Sequence, residues 1–226
     1  MIKQGTRLYI NITNHCNTNC PFCCMYSGTE KKTFMGFNTF KGIIDNCNGE
    51  FELQLEGGEP FTHKAIYLFI EYAINTGRCK KVIILTNGLK VWENMLRIIP
   101  LINWYKIDFE IKISINYFLL ENTKVSIPNL AKFAFSTQFI RHLQIVFNVR
   151  KRIGFDEEIK DELEKYGLLE ISNIYYFQAY GKLSKSEMYA GPSIVQNIDN
   201  WILFASDGTE FGQDLIARSE FERILP

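Results

Sequence analysis

Hydrophobic residues alternate with polar ones in several short segments, and other segments between them place apolar residues three and four positions apart. The first pattern is typical of β-strands and the second of amphipathic helices. We expect six strands, over residues 7–13, 51–55, 81–86, 106–115, 144–150 and 170–177. We expect five helices, over residues 38–46, 65–76, 91–99, 127–139 and 156–166.

Glycine and proline mark the ends of several of these elements. Gly77 follows the second helix and Gly167 follows the last one, as C-terminal glycines often do. Pro100 lacks the backbone N–H that a helix interior needs, so we expect it to end the third helix. Residues 181–226 are polar and rich in turns, except for an apolar patch at 201–205.

Alternating strands and helices favour parallel pairing with right-handed crossovers, which predicts an α/β protein. Six repeats fit an open doubly wound sheet and an incomplete barrel equally well. In both folds, functional groups gather at the carboxyl ends of the strands. Three distinctive motifs follow strands in this way: a cysteine-rich loop at 14–24, Gly57-Gly58-Glu59-Pro60, and Thr86-Asn87-Gly88.

Length and charge limit the function classes. The 226 residues suit one domain, and 25 basic residues balance 25 acidic ones, which argues against a nucleic-acid partner. No apolar run approaches the ~20 residues of a membrane span, and residues 1–7 lack the apolar segment of a secretory signal. We therefore expect a cytoplasmic protein with no membrane partner.

Four of the six cysteines lie within nine residues, at positions 16, 20, 23 and 24. Such a tight cluster indicates a metal or cluster site rather than a disulfide scaffold, which spreads its cysteines along a short chain. Cys47 and Cys79 stand apart, and we expect them to be buried thiols without chemistry.

The spacing Cys16-x3-Cys20-x2-Cys23 supplies three thiolates just past a strand. A four-iron cluster held by three cysteines leaves one iron open to a substrate or cofactor. A zinc site would need a fourth ligand, for which His15 or Cys24 is adjacent, but closed zinc sites usually combine two separated ligand pairs. A two-cysteine redox motif would not need Cys16. The spacing favours the iron–sulfur cluster and leaves zinc open, and we expect Cys24 to be a neighbouring thiol.

The loop from Asn14 to Cys23 resembles that of the radical S-adenosylmethionine (radical SAM) superfamily, in which C-x3-C-x2-C follows the first strand of a partial (β/α)6 barrel. Phe22 occupies the position where that family usually has an aromatic residue, and GGEP after the second strand extends the likeness. The resemblance implies an α/β fold with a partial barrel over residues 1–181. It also implies a short C-terminal extension over residues 182–226 that packs on the barrel.

The resemblance further implies two cofactors and the residues that bind them. Cys16, Cys20 and Cys23 would hold a [4Fe–4S] cluster, and its open iron would chelate S-adenosyl-L-methionine. Gly57 and Gly58 would let the backbone approach the methionine moiety, Glu59 would bind its α-ammonium, and Phe22 would pack near the adenine. Further cofactor contacts are expected at the ends of later strands, from Asn87, Ser114, Asn148 and Gly181.

The activity that the resemblance implies is cleavage of S-adenosylmethionine to a 5′-deoxyadenosyl radical, which abstracts hydrogen from a substrate. An external donor such as flavodoxin or ferredoxin would supply the electron. The segment around Asp207-Gly208 looks like the extension of peptide-modifying members, which favours a peptide side chain as substrate. No cysteine follows Cys79, so no second cluster is expected. A small-metabolite enzyme, a glycyl-radical activase and a non-catalytic zinc-stabilised binding module are the alternatives.

Overall fold

The computed structural model describes residues 2–183 and 200–226, and these contain one seven-stranded parallel sheet. The strands are β1 (Thr6–Thr13), β2 (Phe51–Gly57), β3 (Cys79–Thr86), β4 (Asp108–Ile115), β5 (Leu143–Lys151), β6 (Ser172–Tyr176) and β7 (Trp201–Phe204). The α-helices are α1 (Phe37–Asp45), α2 (Ile66–Asn75), α3 (Val91–Tyr105), α4 (Tyr117–Asn122), α5 (Ile127–Thr137), α6 (Glu157–Lys165) and α7 (Leu215–Ile224). Short 3₁₀ turns occupy Pro60–Thr62, Leu169–Ile171 and Gly181–Leu183.

The order of the strands decides between the two folds that the sequence left open. It is β6-β5-β4-β3-β2-β1-β7, so each of the first six strands lies beside its predecessor in the chain. A doubly wound sheet reverses its strand order at a switch point, and no reversal occurs within these six. The predicted α/β partial barrel is therefore confirmed. The sheet is not closed, because β6 and β7 are its two edges in the part of the chain that the structure describes.

Alternation along the strands gives the sheet two different faces. In β2, Leu53 and Leu55 are fully buried in the hydrophobic core, whereas Gln54 and Glu56 line a cavity on the other face. Successive side chains of a strand point to opposite faces, so an alternating sequence separates core from cavity. The helix-covered face is thus apolar, and the opposite face carries the polar groups that a binding site needs.

Pro100 does not end α3, and that prediction was wrong. The helix continues to Tyr105 and ends where Lys106 adopts a left-handed conformation with φ 55°. Its buried residues, Val91, Met95, Ile98 and Ile102, form one apolar stripe that extends past the exposed Pro100. The packing of this stripe outweighs the missing hydrogen bond. Within residues 2–183 and 200–226, no helix has both the length and the apolar character needed to cross a membrane, and the expected cytoplasmic location stays a prediction.

The apolar patch at residues 201–205 contains a strand that the sequence did not reveal. It is β7, which pairs in parallel with β1 from Arg7 opposite Trp201 to Ile10 opposite Phe204. Helix α7, also unpredicted, follows it. The division of the chain between residues 181 and 182 stays a prediction, and residues 184–199 of the expected extension lie outside the described residues.

Candidate functional site

The cysteine loop follows β1 and brings the three predicted ligands close together. The sulfur atoms of Cys16 and Cys20 both contact the hydroxyl oxygen of Thr18, at 3.2 and 3.6 Å. The backbone N–H of Cys23 donates to the carbonyl of Cys20 at 3.2 Å. All three cysteines are free thiols. They lie on one loop at the carboxyl end of β1, and their binding of a metal or cluster stays a prediction.

The chemistry of these donors fits an iron–sulfur cluster, although the three cysteine side chains are not positioned to coordinate a metal ion. Three sulfur donors in one loop are the set that leaves one iron of a four-iron cluster open. Among the described residues, no three His, Cys, Asp or Glu side chains already stand in a geometry that would hold a metal ion. Burial raises the pKa of the Cys16 thiol to about 12 and that of Cys20 to about 11, so both are protonated at neutral pH. Ligation therefore requires loss of these protons.

Two residues could complete a zinc site. The Nδ1 atom of His15 lies 2.9 Å from the carbonyl oxygen of Lys31, a contact that leaves the other ring nitrogen able to bind a metal. Cys24 lines the cavity on the inner face of the sheet. The zinc alternative therefore stays open at this point.

The residues at the end of β2 are hydrogen-bonded to the start of the cysteine loop. Gly58 N–H donates to the carbonyl of Thr13 at 2.7 Å, and Glu59 N–H donates to the carbonyl of His15 at 2.9 Å. A Cβ at Gly57 would lie 2.2 Å from the Thr13 oxygen, and one at Gly58 would lie 2.0 Å from the His15 oxygen. The chain's own carbonyl groups thus occupy the space that side chains would need. Close approach of a methionine moiety to these glycines stays a prediction.

Glu59 is fully buried, and three protein groups already donate to its carboxylate. One oxygen accepts from Phe61 N–H at 3.1 Å and from the Thr86 hydroxyl at 2.8 Å, and the other accepts from Asn87 N–H at 2.7 Å. Burial raises the pKa of this carboxyl to about 7. A carboxylate has about four acceptor positions, and three are used here; the side chain has no exposed surface, and its binding of an ammonium group stays a prediction.

Asn87, at the exit of β3, contacts the cysteine loop. Its side-chain nitrogen donates to the side-chain oxygen of Asn17 at 2.6 Å and lies 3.8 Å from the sulfur of Cys16. With Glu59, it gives the loop a polar wall made from two neighbouring strand ends. Its binding to a cofactor stays a prediction.

The sheet register aligns two further predicted residues on neighbouring strands. Ser114 of β4 pairs with Asn148 of β5, which in turn pairs with Asn173 of β6. Asn148 and Asn173 line the inner cavity, and their side chains are 3.4 Å apart. These residues form a polar row across three strands near the carboxyl end of the sheet.

Phe22 lies outside this row, in an aromatic cluster. Its ring centroid is 4.1 Å from that of Phe177, 5.4 Å from that of Tyr117 and 6.3 Å from that of Phe118. Gly181 packs directly on the cysteine loop, because a Cβ there would lie 2.5 Å from the Cα of Cys24. It does not line the inner cavity.

A cavity of about 890 Å³ opens on the inner face of the sheet, and most residues that line it were not singled out from the sequence. They include Tyr9, Gln54, Glu56 and Arg218. The signal that would have found the strand residues is alternation: Glu52, Gln54 and Glu56 occupy every second position of β2. No comparable signal marks Arg218, whose α7 neighbours on the sheet are polar.

Comparison with known proteins finds similarity over part of the chain, although no protein-family model matches it. It is 31% identical to a GTP 3′,8-cyclase of Alkaliphilus metalliredigens over 87 residues, which are 36% of this chain and 27% of the cyclase. It is 29% identical to AlbA, the antilisterial bacteriocin subtilosin biosynthesis protein of Bacillus subtilis, over 90 residues, which are 39% of this chain and 20% of AlbA. The matched segment thus covers well under half of each relative.

Two solved structures share the fold over most of the chain. The first is Streptococcus suis SuiB bound to its precursor peptide SuiA, with a TM-score of 0.61, 16% identity, and coverage of 82% of this chain and 42% of SuiB. The second is anSMEcpe with bound AdoMet and the Cp18Cys peptide, with a TM-score of 0.55, 13% identity, and coverage of 84% of this chain and 55% of that protein. At these identities the structural likeness supports the open-barrel fold and nothing finer.

Proposed function

Because the chain belongs to the radical SAM superfamily, we propose that it binds a [4Fe–4S] cluster and S-adenosylmethionine and uses them to start a radical reaction on a substrate. The observation that carries this proposal is the convergence of three free thiols, Cys16, Cys20 and Cys23, on one loop at the carboxyl end of β1. The exits of β2 and β3 are hydrogen-bonded to that loop, which gives it a fixed frame.

In this proposal the three cysteines ligate the cluster, and the strand exits bind the nucleoside. Such a cluster supplies one electron to the bound sulfonium, whose carbon–sulfur bond breaks to give methionine and a 5′-deoxyadenosyl radical. Glu59 accepts a hydrogen bond from the α-ammonium at its remaining acceptor position. Ser114 and Asn148 hydrogen-bond the ribose, and the aromatic rings around Phe22 exclude water from the adenine side.

A peptide side chain is the substrate class that we propose. AlbA is named for bacteriocin biosynthesis, and SuiB and anSMEcpe are described with bound peptides, which supports this class. The similarity to GTP 3′,8-cyclases supports a nucleotide as the second candidate. The electron comes from a separate donor protein such as flavodoxin or ferredoxin.

The ligand assignment can be tested by iron analysis after anaerobic reconstitution. The wild-type protein is expected to be brown and to hold about four iron atoms per chain. We expect Cys20→Ala to lose most of this iron, and Cys24→Ala to keep it as a matched control, because the Cys24 thiol lines the cavity instead. A colourless protein that carries one zinc ion would instead support the binding module, and iron loss in Cys24→Ala would contradict the three-ligand assignment.

The radical step can be tested on the same preparation. Reduced protein is mixed with S-adenosylmethionine, and 5′-deoxyadenosine is measured by liquid chromatography. We expect the nucleoside to form with wild-type protein and not with Cys20→Ala. Its absence from wild-type protein with a verified reduced cluster would refute the proposed activity.

A further inference from the structure

Two arginines from distant parts of the chain line the cavity on the inner face of the sheet. Arg150 extends from β5 and Arg218 from α7. The other two cationic residues of the cavity wall are already paired, Arg7 with Glu52 at 2.6 Å and Lys112 with Glu110 at 3.4 Å. Arg218 is itself paired with Glu56 at 2.8 Å, which leaves Arg150 as the cation of the wall without an ion pair among the residues that the structure describes.

Both arginines keep a buried donor without an acceptor in residues 2–183 and 200–226. Arg218 is only 2% exposed; one of its terminal nitrogens donates to Glu56 at 2.8 Å, but its Nε has no hydrogen-bond partner. Arg150 lies over the ring of Tyr175 at 4.6 Å, and its Nη1 is buried and equally unpartnered. A buried donor without an acceptor is costly, so such groups in a cavity wall indicate where an acceptor binds.

Arg218 lies on the side of the cavity that adjoins the cysteine loop. The hydroxyl of the next residue, Ser219, donates to the carbonyl of Cys24, and Cys24 itself lines the cavity. The charges of Arg150 and Arg218 both oppose the rise that burial causes in the pKa of the Tyr180 hydroxyl, and Tyr180 belongs to the same cavity wall.

We propose that Arg150 and Arg218 bind a carboxylate of the substrate, and specifically an acidic side chain of a peptide. This inference rests on the proposed function and names the chemistry that its substrate must carry. Glu56 and Asp214 line the same cavity, so the several negative charges of a polyphosphate chain would be repelled there. The single negative charge of a carboxylate is smaller than the positive charge of the two arginines.

The test compares two isosteric probes by isothermal titration calorimetry with the anaerobically reconstituted protein. N-acetyl-glutamate methylamide carries the carboxylate, and N-acetyl-glutamine methylamide has a neutral amide in its place. We expect the glutamate probe to bind at least about tenfold more tightly, because charge-assisted hydrogen bonds to arginine are the stronger ones. Equal binding of the two probes would overturn the proposal.

Variants assign the preference to the cavity. Arg150→Gln is expected to abolish the preference, while Arg97→Gln, which removes an exposed arginine that lies over Tyr67 on the outside of the sheet, is expected to keep it. Arg218→Gln would also break the ion pair with Glu56, so Arg150→Gln is the decisive variant. A preference that survives in Arg150→Gln would overturn the proposal.

Competition experiments exclude the other anions. If saturating S-adenosylmethionine displaces the glutamate probe, the arginines serve the cofactor's carboxylate and the proposal fails. If inorganic phosphate binds more tightly than the glutamate probe, the site is for phosphate and the proposal also fails. The 5′-deoxyadenosine assay on the same preparation tests the proposed activity separately from the carboxylate site. If the protein cleaves S-adenosylmethionine but binds both probes equally, only the carboxylate site is refuted.

Discussion

At the scale of single residues, the glycines after β2 have a structural reason that the sequence did not give. Glycine was expected there because a cofactor would approach the backbone closely. At both positions, however, a Cβ would also meet a carbonyl oxygen of the cysteine loop. The same contact holds the backbone of Glu59 against His15. The motif is thus explained by the packing of two chain segments, whether or not a cofactor also lies beside it.

Gly58→Ala is expected to lower the free energy of unfolding by about 2–3 kcal/mol, because the new Cβ would lie 2.0 Å from the His15 carbonyl oxygen. Gly42→Ala is the matched control: Gly42 is exposed in α1, a Cβ there has open space, and alanine should stabilise the helix by about 1 kcal/mol. Urea unfolding followed by circular dichroism measures both. A neutral Gly58→Ala variant would contradict the observed packing.

Glu59 predicts a pH dependence of the stability of the cluster-free protein. Burial raises its pKa from 4.5 to about 7, so the folded protein binds a proton more tightly than the unfolded chain does. Its contribution is fully present below about pH 4.5 and is lost as the pH rises through 7, by on the order of 3 kcal/mol. The difference in unfolding free energy between wild type and Glu59→Gln, measured from pH 4.5 to 7.5, should change by about this amount. A difference that does not vary with pH would refute the assignment.

At the scale of elements, sequence patterns found six strands and five helices and missed α4, α7 and β7. All the predicted elements except β6 bury apolar residues in the core. Helix α7 was missed because its buried residues are Arg218, Ser219 and Glu222, which no hydrophobic periodicity can reveal. Strand β7 was missed because four apolar residues in a row do not distinguish a strand from a buried turn.

A polar network holds α7 on the sheet. Its buried Glu222 accepts from the side chain of Asn11 in β1 at 2.8 Å, and from the N–H and hydroxyl of Ser206 at 2.7 and 2.8 Å. Glu222→Ala leaves these donors unpartnered and is expected to lower the unfolding free energy by about 2–4 kcal/mol.

The matched control is Glu220→Ala, two positions earlier in the same helix. Glu220 is exposed, and its ion pair with Arg223 at 3.4 Å and its hydrogen bond from the Tyr26 hydroxyl at 2.9 Å are together expected to contribute no more than about 1 kcal/mol. Thermal unfolding followed by circular dichroism measures both variants. Equal effects would mean that the buried network does not hold the helix.

At the scale of the whole molecule, the sequence predicted which end of the sheet carries the candidate functional residues, but not which distant residues contact one another around them. Parallel pairing and motifs at strand ends were sufficient to bring Cys16, Glu59 and Asn87 together. Periodicity is local and does not say which strands become neighbours, so the order of the first six strands followed only from the resemblance that implied a partial barrel, and the place of β7 beside β1 was not predicted. The ion pair between Glu56 and Arg218 joins residues 162 positions apart, and only the folded structure brings them into contact.

The cysteine loop is near one end of the chain, but it is completed by residues near the other. The hydroxyl of Ser219 donates to the carbonyl of Cys24, Lys182 N–H donates to that of Cys23 at 3.0 Å, and the side chain of Asn14 donates to the carbonyl of Pro226 at 3.0 Å. A nascent chain that has just emerged from the ribosome with its cysteines exposed therefore lacks the partners that frame them. We expect metal delivery to follow translation of Ser219 and Pro226, because these residues help to frame cysteines that are synthesised before them.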